Sequence, residues 1–458
     1  MSNDPGRGGP WHGHIHGSDG YRRMILALFA AGVATFSQLY SVQGVLPELA
    51  RDLAVSEADA ALAVSAATLG LAASVLFWSL LADRMGRLRT MTIAVLAAVV
   101  LGLAVPFSPG FEMLLALRFI EGLALGGIPA VALAYLSEEV SPLHSAVAAG
   151  TYISGTTLGG LAGRLVAGPL SEFVSWRLGT LVVSIMAAIA ASVFIAVAPK
   201  PRGFTPVPWR SPNRIPLWKK LWMNLRKGQL LVLYAQGFLL MGGFVAVYNY
   251  LGFRLEAPPF LIPASLASLV FIAYLSGTWS SRQSGAMVAR FGRLRVLVAS
   301  IGLMAAGLAV TLADFLPAII AGLLVFTAGF FAAHSVASGW IPMLGVGGRA
   351  QAASLYNLAY YSGSSFFGWA IGLAFNAANW PGLVLAVGAL LVLAALLAVA
   401  GLRQRPSRRL ISAPFSGRRW SARLYGDRWF SRCADVRQGR PSRDVRSRFR
   451  RSGWPLPR

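Results

Sequence analysis

The sequence predicts an all-α membrane protein of 12 transmembrane helices in two pseudo-symmetric six-helix bundles. Three observations predict it. Apolar runs of about 20 residues recur along the chain, each long enough to cross a bilayer. The composition is 56% hydrophobic and only 13% charged, with a mean hydropathy of +0.60. Finally, the stretch Ser79–Thr90, SLLADRMGRLRT, returns as Gly285–Val296, GAMVARFGRLRV, at an offset of 206 residues (Arg84 to Arg290). Each copy is a short basic turn between two apolar runs. Such a turn belongs at a membrane surface, and arginines favour the cytoplasmic one. The chain therefore reads as a tandem repeat.

In chain order, residues 1–21 form a Gly- and Pro-rich segment expected to be a disordered cytoplasmic tail. Its WHGHIHG run offers His12, His14 and His16 to a metal, but a mobile tail pre-organises no site, and none is expected. The first apolar run is too long for a leader core, so no cleaved leader is expected. Spans are predicted near 23–46, 61–82, 90–107, 112–136, 145–168 and 177–198 in an N-terminal bundle, 22–199. A second set, near 229–252, 264–282, 295–313, 317–341, 351–376 and 381–402, makes a C-terminal bundle, 229–402. Between them lies a basic cytoplasmic linker, 200–228, Pro-rich, with eight Lys or Arg and no acid. With the N-terminus inside, the cytoplasmic loops hold sixteen cations against Arg51, Arg177 and Arg254 outside, which places both termini in the cytoplasm.

The formal charge is +24, of which the tail 403–458 supplies 17 Arg against 3 Asp. That Arg-rich tail reads as disordered and cytoplasmic, able to meet anionic lipid headgroups. It has no nucleic-acid-binding motif, so a nucleic-acid partner is not expected. Enzyme and nucleotide-pump classes find no support: the chain has no Walker A loop and no H-E-x-x-H, and its one cysteine is Cys433. The expected partners are a small-molecule substrate and the bilayer, with the protein a monomer and no cofactor beyond a coupling proton.

Leu81-Ala82-Asp83-Arg84-x-Gly86-Arg87 resembles the loop signature G-x-L-A-D-R-x-G-R-R of the major facilitator superfamily. Ser79 replaces its first Gly and Leu88 its second basic residue, and in the echo Ala289 stands opposite Asp83. Further runs resemble the drug:proton antiporter-like group, and within it the YnfM-like inner-membrane transport proteins. They are YLSEE at Tyr135–Glu139, GFLLMGGF at Gly237–Phe244, AYLSGTWSS at Ala273–Ser281 and AGFFAAHSVAS at Ala328–Ser338. The resemblance covers 22–402 and implies a major facilitator fold in the inner membrane. It further implies two parallel six-span halves with the substrate between them near the midplane, lined by spans one, four, seven and ten.

Ionisable residues inside apolar spans are costly, about 2.5–3.5 kcal/mol at a helix centre, and so invite functional readings. Arg118 and Glu121 of span four stand i, i+3 on one face and can pair. Their run, R-F-I-E-G, resembles the fourth-helix signature R-x-x-Q-G, which implies proton coupling. The bland alternative is an ion pair that only neutralises itself. In span five Gly155, Gly159 and Gly163 recur every four residues, a bare face for close packing, which Gly277 and Ser281 of span eight offer to receive. Arg164 either snorkels outward or faces the cavity and attracts an anion. His334, mid-span in ten, is a third candidate for proton coupling, or a histidine bonded to a carbonyl. The cavity candidates are Gln38, Gln43, Arg164, Gln236, Asn249, Asn357 and Tyr360. By resemblance, Asp83, Arg84, Gly86 and Arg87 form a cytoplasmic gate. There Asp83 would face the start of span eleven near Gln351–Ala353, and Arg87 would pair with Glu138 and Glu139. The expected function is proton-coupled export of a small organic molecule by alternating access. Uptake by symport, and a non-transporting membrane sensor, are the alternatives.

Overall fold

The computed structural model describes residues 11–204, 216–346 and 348–403. Met1–Pro10, 205–215 with Arg210 and Arg214, and the Arg-rich tail from 404 lie outside the described residues. The N-terminal region carries α1 (Asp19–Leu39), α2 (Leu46–Leu53), α3 (Glu57–Met85), α4 (Arg87–Ala104), α5 (Phe111–Leu125), α6 (Gly127–Glu139), α7 (Ser145–Phe173) and α8 (Trp176–Val197). After a short α9 (Leu217–Leu225), the C-terminal region carries α10 (Gly228–Glu256), α11 (Ala264–Ala267), α12 (Tyr274–Phe291), α13 (Arg293–Val310), α14 (Leu316–Leu344) and α15 (Arg349–Leu402).

Every predicted span overlaps a helix or a run of helices. Nine helical runs among the described residues are long and apolar enough to cross a membrane by length and composition. The longest, α15, leaves helical geometry at Ala378 and Asn379, so its two arms hold spans eleven and twelve. The outward faces are apolar: Val100, Ile189, Leu385 and Leu396 are each more than 60% exposed. That pattern suits a hydrocarbon surround rather than water. One buried apolar cluster runs from Leu230 to Leu402, with Ala61 and Leu161 its contributors from the N-terminal region. Two others come from residues 21–198, joined by Tyr361.

The repeated motif is built alike in both copies. Gly86 and Gly292 end α3 and α12 with φ of 93° and 83°, and each leads straight into the next helix. A side chain is strained at such φ, which is why glycine stands at both turns. Hydrogen bonds gather the connections into two ends. Arg87 meets Glu138, and Tyr135 meets Pro199 O, at the end bearing Gly86. Asp52 meets Trp176, and Arg177 reaches Ser108 O, at the other.

Three local expectations are corrected, and the linker is found to hold a helix. Span one is not continuous: α1 stops at Leu39, and a turn and a 3-10 segment, Gln43–Val45, precede α2. Trp11–Gly20, expected to be disordered, lies against the Gly86 end. His14 N donates to Glu139 O at 2.7 Å, and Trp11 Nε1 donates to Glu138 O. Burial, and then the Arg202 guanidinium, hold His14 below the usual imidazole range. Within the linker, α9 is a formed helix whose Asn224 Oδ1 accepts Val346 N–H after α14. Last, the glycine face of α7 packs on α1, not on span eight. A Cβ on Gly159 would lie 2.6 Å from Val33 Cα, one on Gly163 2.5 Å from Ser37 O, and one on Gly155 would strike Phe29 O. Gly277 meets Phe331 of α14 instead. Backbone cannot yield as a side chain can, so Gly159→Val is expected to destabilise the fold by ~1–3 kcal/mol. An unchanged melting temperature in detergent would refute that packing.

Candidate functional site

Span four forms its predicted pair. Arg118 Nη1 lies 2.6 Å from Glu121 Oε2, with side chains 0% and 1% exposed. Arg118 also donates to Ala63 O at 3.1 Å, to Gln38 O at 3.1 Å and to Leu39 O at 2.6 Å. Gln38 and Leu39 close α1, where the last carbonyls lack helical partners. A cation there also meets the negative end of the helix dipole. The pair is thus built into the break in span one. The Gln38 amide donates to Ala98 O within the same region, and Gln236 likewise to Ala394 O within the C-terminal one.

Arg164 points inward and is buried. Its Nε donates to Gln43 Oε1 at 2.7 Å, Nη1 to Gly160 O at 2.6 Å, and Nη2 to Tyr274 OH at 3.3 Å. The guanidinium carbon lies 4.2, 4.9 and 4.8 Å from the ring centres of Tyr40, Phe271 and Tyr274. Among the described residues no carboxylate comes within ion-pair distance of it. Gln43 Nε2 in turn donates to Asn249 Oδ1 at 2.6 Å, and Asn249 Nδ2 to Gly368 O at 3.2 Å. One polar chain therefore ties α7, the break in span one, α10 and α15.

His334 Nδ1 lies 2.8 Å from Tyr356 OH, so its partner is a hydroxyl rather than a carbonyl. Its ring packs 4.8 Å from Tyr360, which touches Tyr361. Tyr40 and Tyr361 share a buried cluster against which Tyr360 packs, so the His334 group adjoins the rings around Arg164. Asn357 is half-buried on α15.

At the Gly86 end, Arg87 holds Asp83 at 2.6 Å and Glu138 at 2.9 Å. Asp83 makes no hydrogen bond to Gln351–Ala353 here. Glu139, expected to pair with Arg87, instead accepts the Arg202 and Gly203 N–H groups at 2.8 Å each.

Side-chain bonds between the two regions lie toward the opposite end. Besides Gln43–Asn249 and Arg164–Tyr274, they include Arg51–Glu256 at 3.0 Å and Ser365 Oγ donating to Ser65 O at 2.8 Å. Glu172 accepts Ser265 N–H there too. The fold thus holds a paired helical repeat fastened at one end around a buried polar and aromatic centre.

The sequence profile of the Major Facilitator Superfamily matches residues 26–286. The chain belongs to that superfamily. It is 40% identical over 368 residues to the MFS-type transporter YybF of Bacillus subtilis, across 80% of this chain and 90% of that one. It is 39% identical over 380 residues to the inner membrane transport protein YnfM of Escherichia coli, across 83% and 90%. Its fold is similar to a bacterial homolog of the human lysosomal transporter Spinster in an inward-facing, occupied conformation. That likeness has a TM-score of 0.66 at 16% identity, covering 84% of this chain and 98% of that one. This member of the superfamily is accordingly a multi-pass inner-membrane transporter and not an enzyme. Major facilitator transporters need no cofactor, and no metal-holding cluster occurs among the described residues.

For this transporter, sequence reasoning missed Tyr40, Phe271 and Tyr274 as the cage of Arg164, and Arg51–Glu256 as a tie between regions. One missed signal was available: Gln43 and Asn249 are 206 residues apart, the offset of the loop motifs. Equivalent positions of two symmetric halves can meet only at the axis relating them.

Proposed function

We propose that this transporter exports a small organic molecule in exchange for protons, by alternating access. Residues 22–199 and 229–402 act as its two halves, joined by the linker 200–228, with both termini cytoplasmic. The observation that carries the reading is the fully buried Arg118–Glu121 pair at the break in span one. Protonating Glu121 removes the counter-charge of Arg118, whose other bonds hold the last carbonyls of α1. The next residue, Tyr40, stacks on Arg164. A proton at Glu121 and a substrate at Arg164 thereby bear on the same short turn, as coupling requires. The basic loops at the Gly86 end support a cytoplasmic assignment of that end. Fastened at the other end, the molecule is then in an inward-open state. Asp83, Arg84, Gly86, Arg87, Glu138 and Glu139 serve as the gate that closes the cytoplasmic end when the outer end parts.

Glu121→Gln is expected to abolish flux driven by a pH gradient in proteoliposomes while leaving downhill exchange. Undiminished pH-driven flux would reject the coupling role. Running the assay in inside-out and right-side-out vesicles separates export from symport.

A further inference from the structure

We infer that the substrate is a small aromatic carboxylate, and that Arg164 in its cage of Tyr40, Phe271 and Tyr274 receives the carboxylate. The inference rests on the alternating-access reading, and deepens it by naming the substrate class.

Three features carry it. The first is charge. A guanidinium stays protonated at any physiological pH, yet Arg164 is 2% exposed and its hydrogen-bond partners are a carboxamide, a carbonyl and a phenol, all neutral. Arg118, the comparably buried arginine, has its own glutamate. Arg164 is a cation held in place with its counter-charge left to something else. Buried cations are ordinarily paired, because neutral partners replace hydration only in part.

The second is donor count. Of the five N–H groups of a guanidinium, Arg164 directs one from each nitrogen to a partner among the described residues. One N–H on Nη1 and one on Nη2 remain, and a carboxylate offers an oxygen to each. The bond to Tyr274 is the longest of the three at 3.3 Å, so that ring is the one most readily displaced.

The third is the surrounding surface. Tyr40 and Tyr274 come from different halves, and the half-buried Tyr360 and His334 continue the run of packed rings toward the Gly86 end. Aromatic faces favour a flat ring stacked among them. They also attract cations, but a cationic ligand would be repelled by Arg164 at the same spot. A neutral ring would leave the two N–H groups without a partner. An aromatic anion satisfies both.

The test is saturable binding of radiolabelled benzoate to the full chain purified in detergent, with benzamide and benzyltrimethylammonium as competitors. Benzoate is expected to bind, and neither competitor to displace it at equal concentration. Arg164→Gln is expected to weaken benzoate binding by about ten- to a hundredfold, the span of a hydrogen bond to a charged group. Arg164→Lys, which keeps the charge but loses the fork, should fall between. Tyr274→Phe should keep the preference for the anion. Absence of saturable benzoate binding, displacement by benzamide as good as by unlabelled benzoate, or wild-type affinity in a folded Arg164→Gln would each overturn the assignment. If Arg164→Gln does not fold, the competition on the wild-type protein still decides. No gradient is present, so the result is independent of transport direction and of the Glu121 flux measurement.

Discussion

Joining positions 43 and 249 should stop transport outright. Gln43→Cys with Asn249→Cys, in a Cys433→Ser background, is expected to lose flux to background once treated with a short bifunctional thiol reagent, and to regain it when a cleavable tether is reduced. The two side chains are buried and meet at 2.6 Å. They stand at equivalent positions of the repeat, so their contact marks the axis between the halves. Arg51–Glu256 lies beyond them at the same end, and Ser65–Ser365 beside them toward the middle. Alternating access requires this layer to part, because a cavity open at one end must close there to open at the other. A covalent tether at the axis leaves no route for that change. The untethered double variant loses three buried hydrogen bonds, Gln43–Asn249, Arg164–Gln43 and Asn249–Gly368, at about 0.5–3 kcal/mol each; the first joins the two regions, so its loss should favour the outward-open state. In that state Asp83, now held by Arg87, becomes free to engage the start of α15. Full flux in protein shown to be completely cross-linked would rule out this layer as the moving gate.

How much of the fold and the site is legible in the sequence depends on the range of the physics involved. The spans were legible because hydrocarbon demands long apolar runs and helical backbone bonding, a requirement local to each segment. The turns at Gly86 and Gly292 were legible because each is a short basic stretch wedged between two apolar runs, repeated at one offset. The Arg118–Glu121 contact was legible too, being a matter of helical spacing. The break at Tyr40 was not: no proline or glycine stands in 33–43, between Gly32 and Gly44, and the α1 carbonyls are satisfied by Arg118, some 80 residues onward. Nor was the partner of the α7 glycines, since a bare helix face says that something packs closely but not what. Arg164 was visible as an anomaly, but its cage comes from residues 40, 271 and 274, which only the fold brings together.

The largest expected loss of stability comes from Arg118. Arg118→Met keeps the volume and the apolar stem but removes the guanidinium. Glu121 is then left 1% exposed with no counter-charge, and three backbone carbonyls, of Ala63, Gln38 and Leu39, lose a donor. Breaking a buried ion pair from one side destabilises by ~3–5 kcal/mol, because the surviving charge stays buried. The Gln38 carbonyl keeps its bonds from Ser41 N–H and Oγ–H, but that of Leu39 ends a helix inside the bundle, where no water takes over its bond. Adding Glu121→Gln to Arg118→Met should recover part of the loss, since a neutral amide is cheaper to bury than a carboxylate. The two substitutions should therefore fall well short of additivity. Both variants should give a less cooperative thermal transition in detergent where the turn at Tyr40 loosens. If Arg118→Met alone melts with the wild-type protein, the pair does not hold span one, and the link from Glu121 through that turn to Arg164 fails with it.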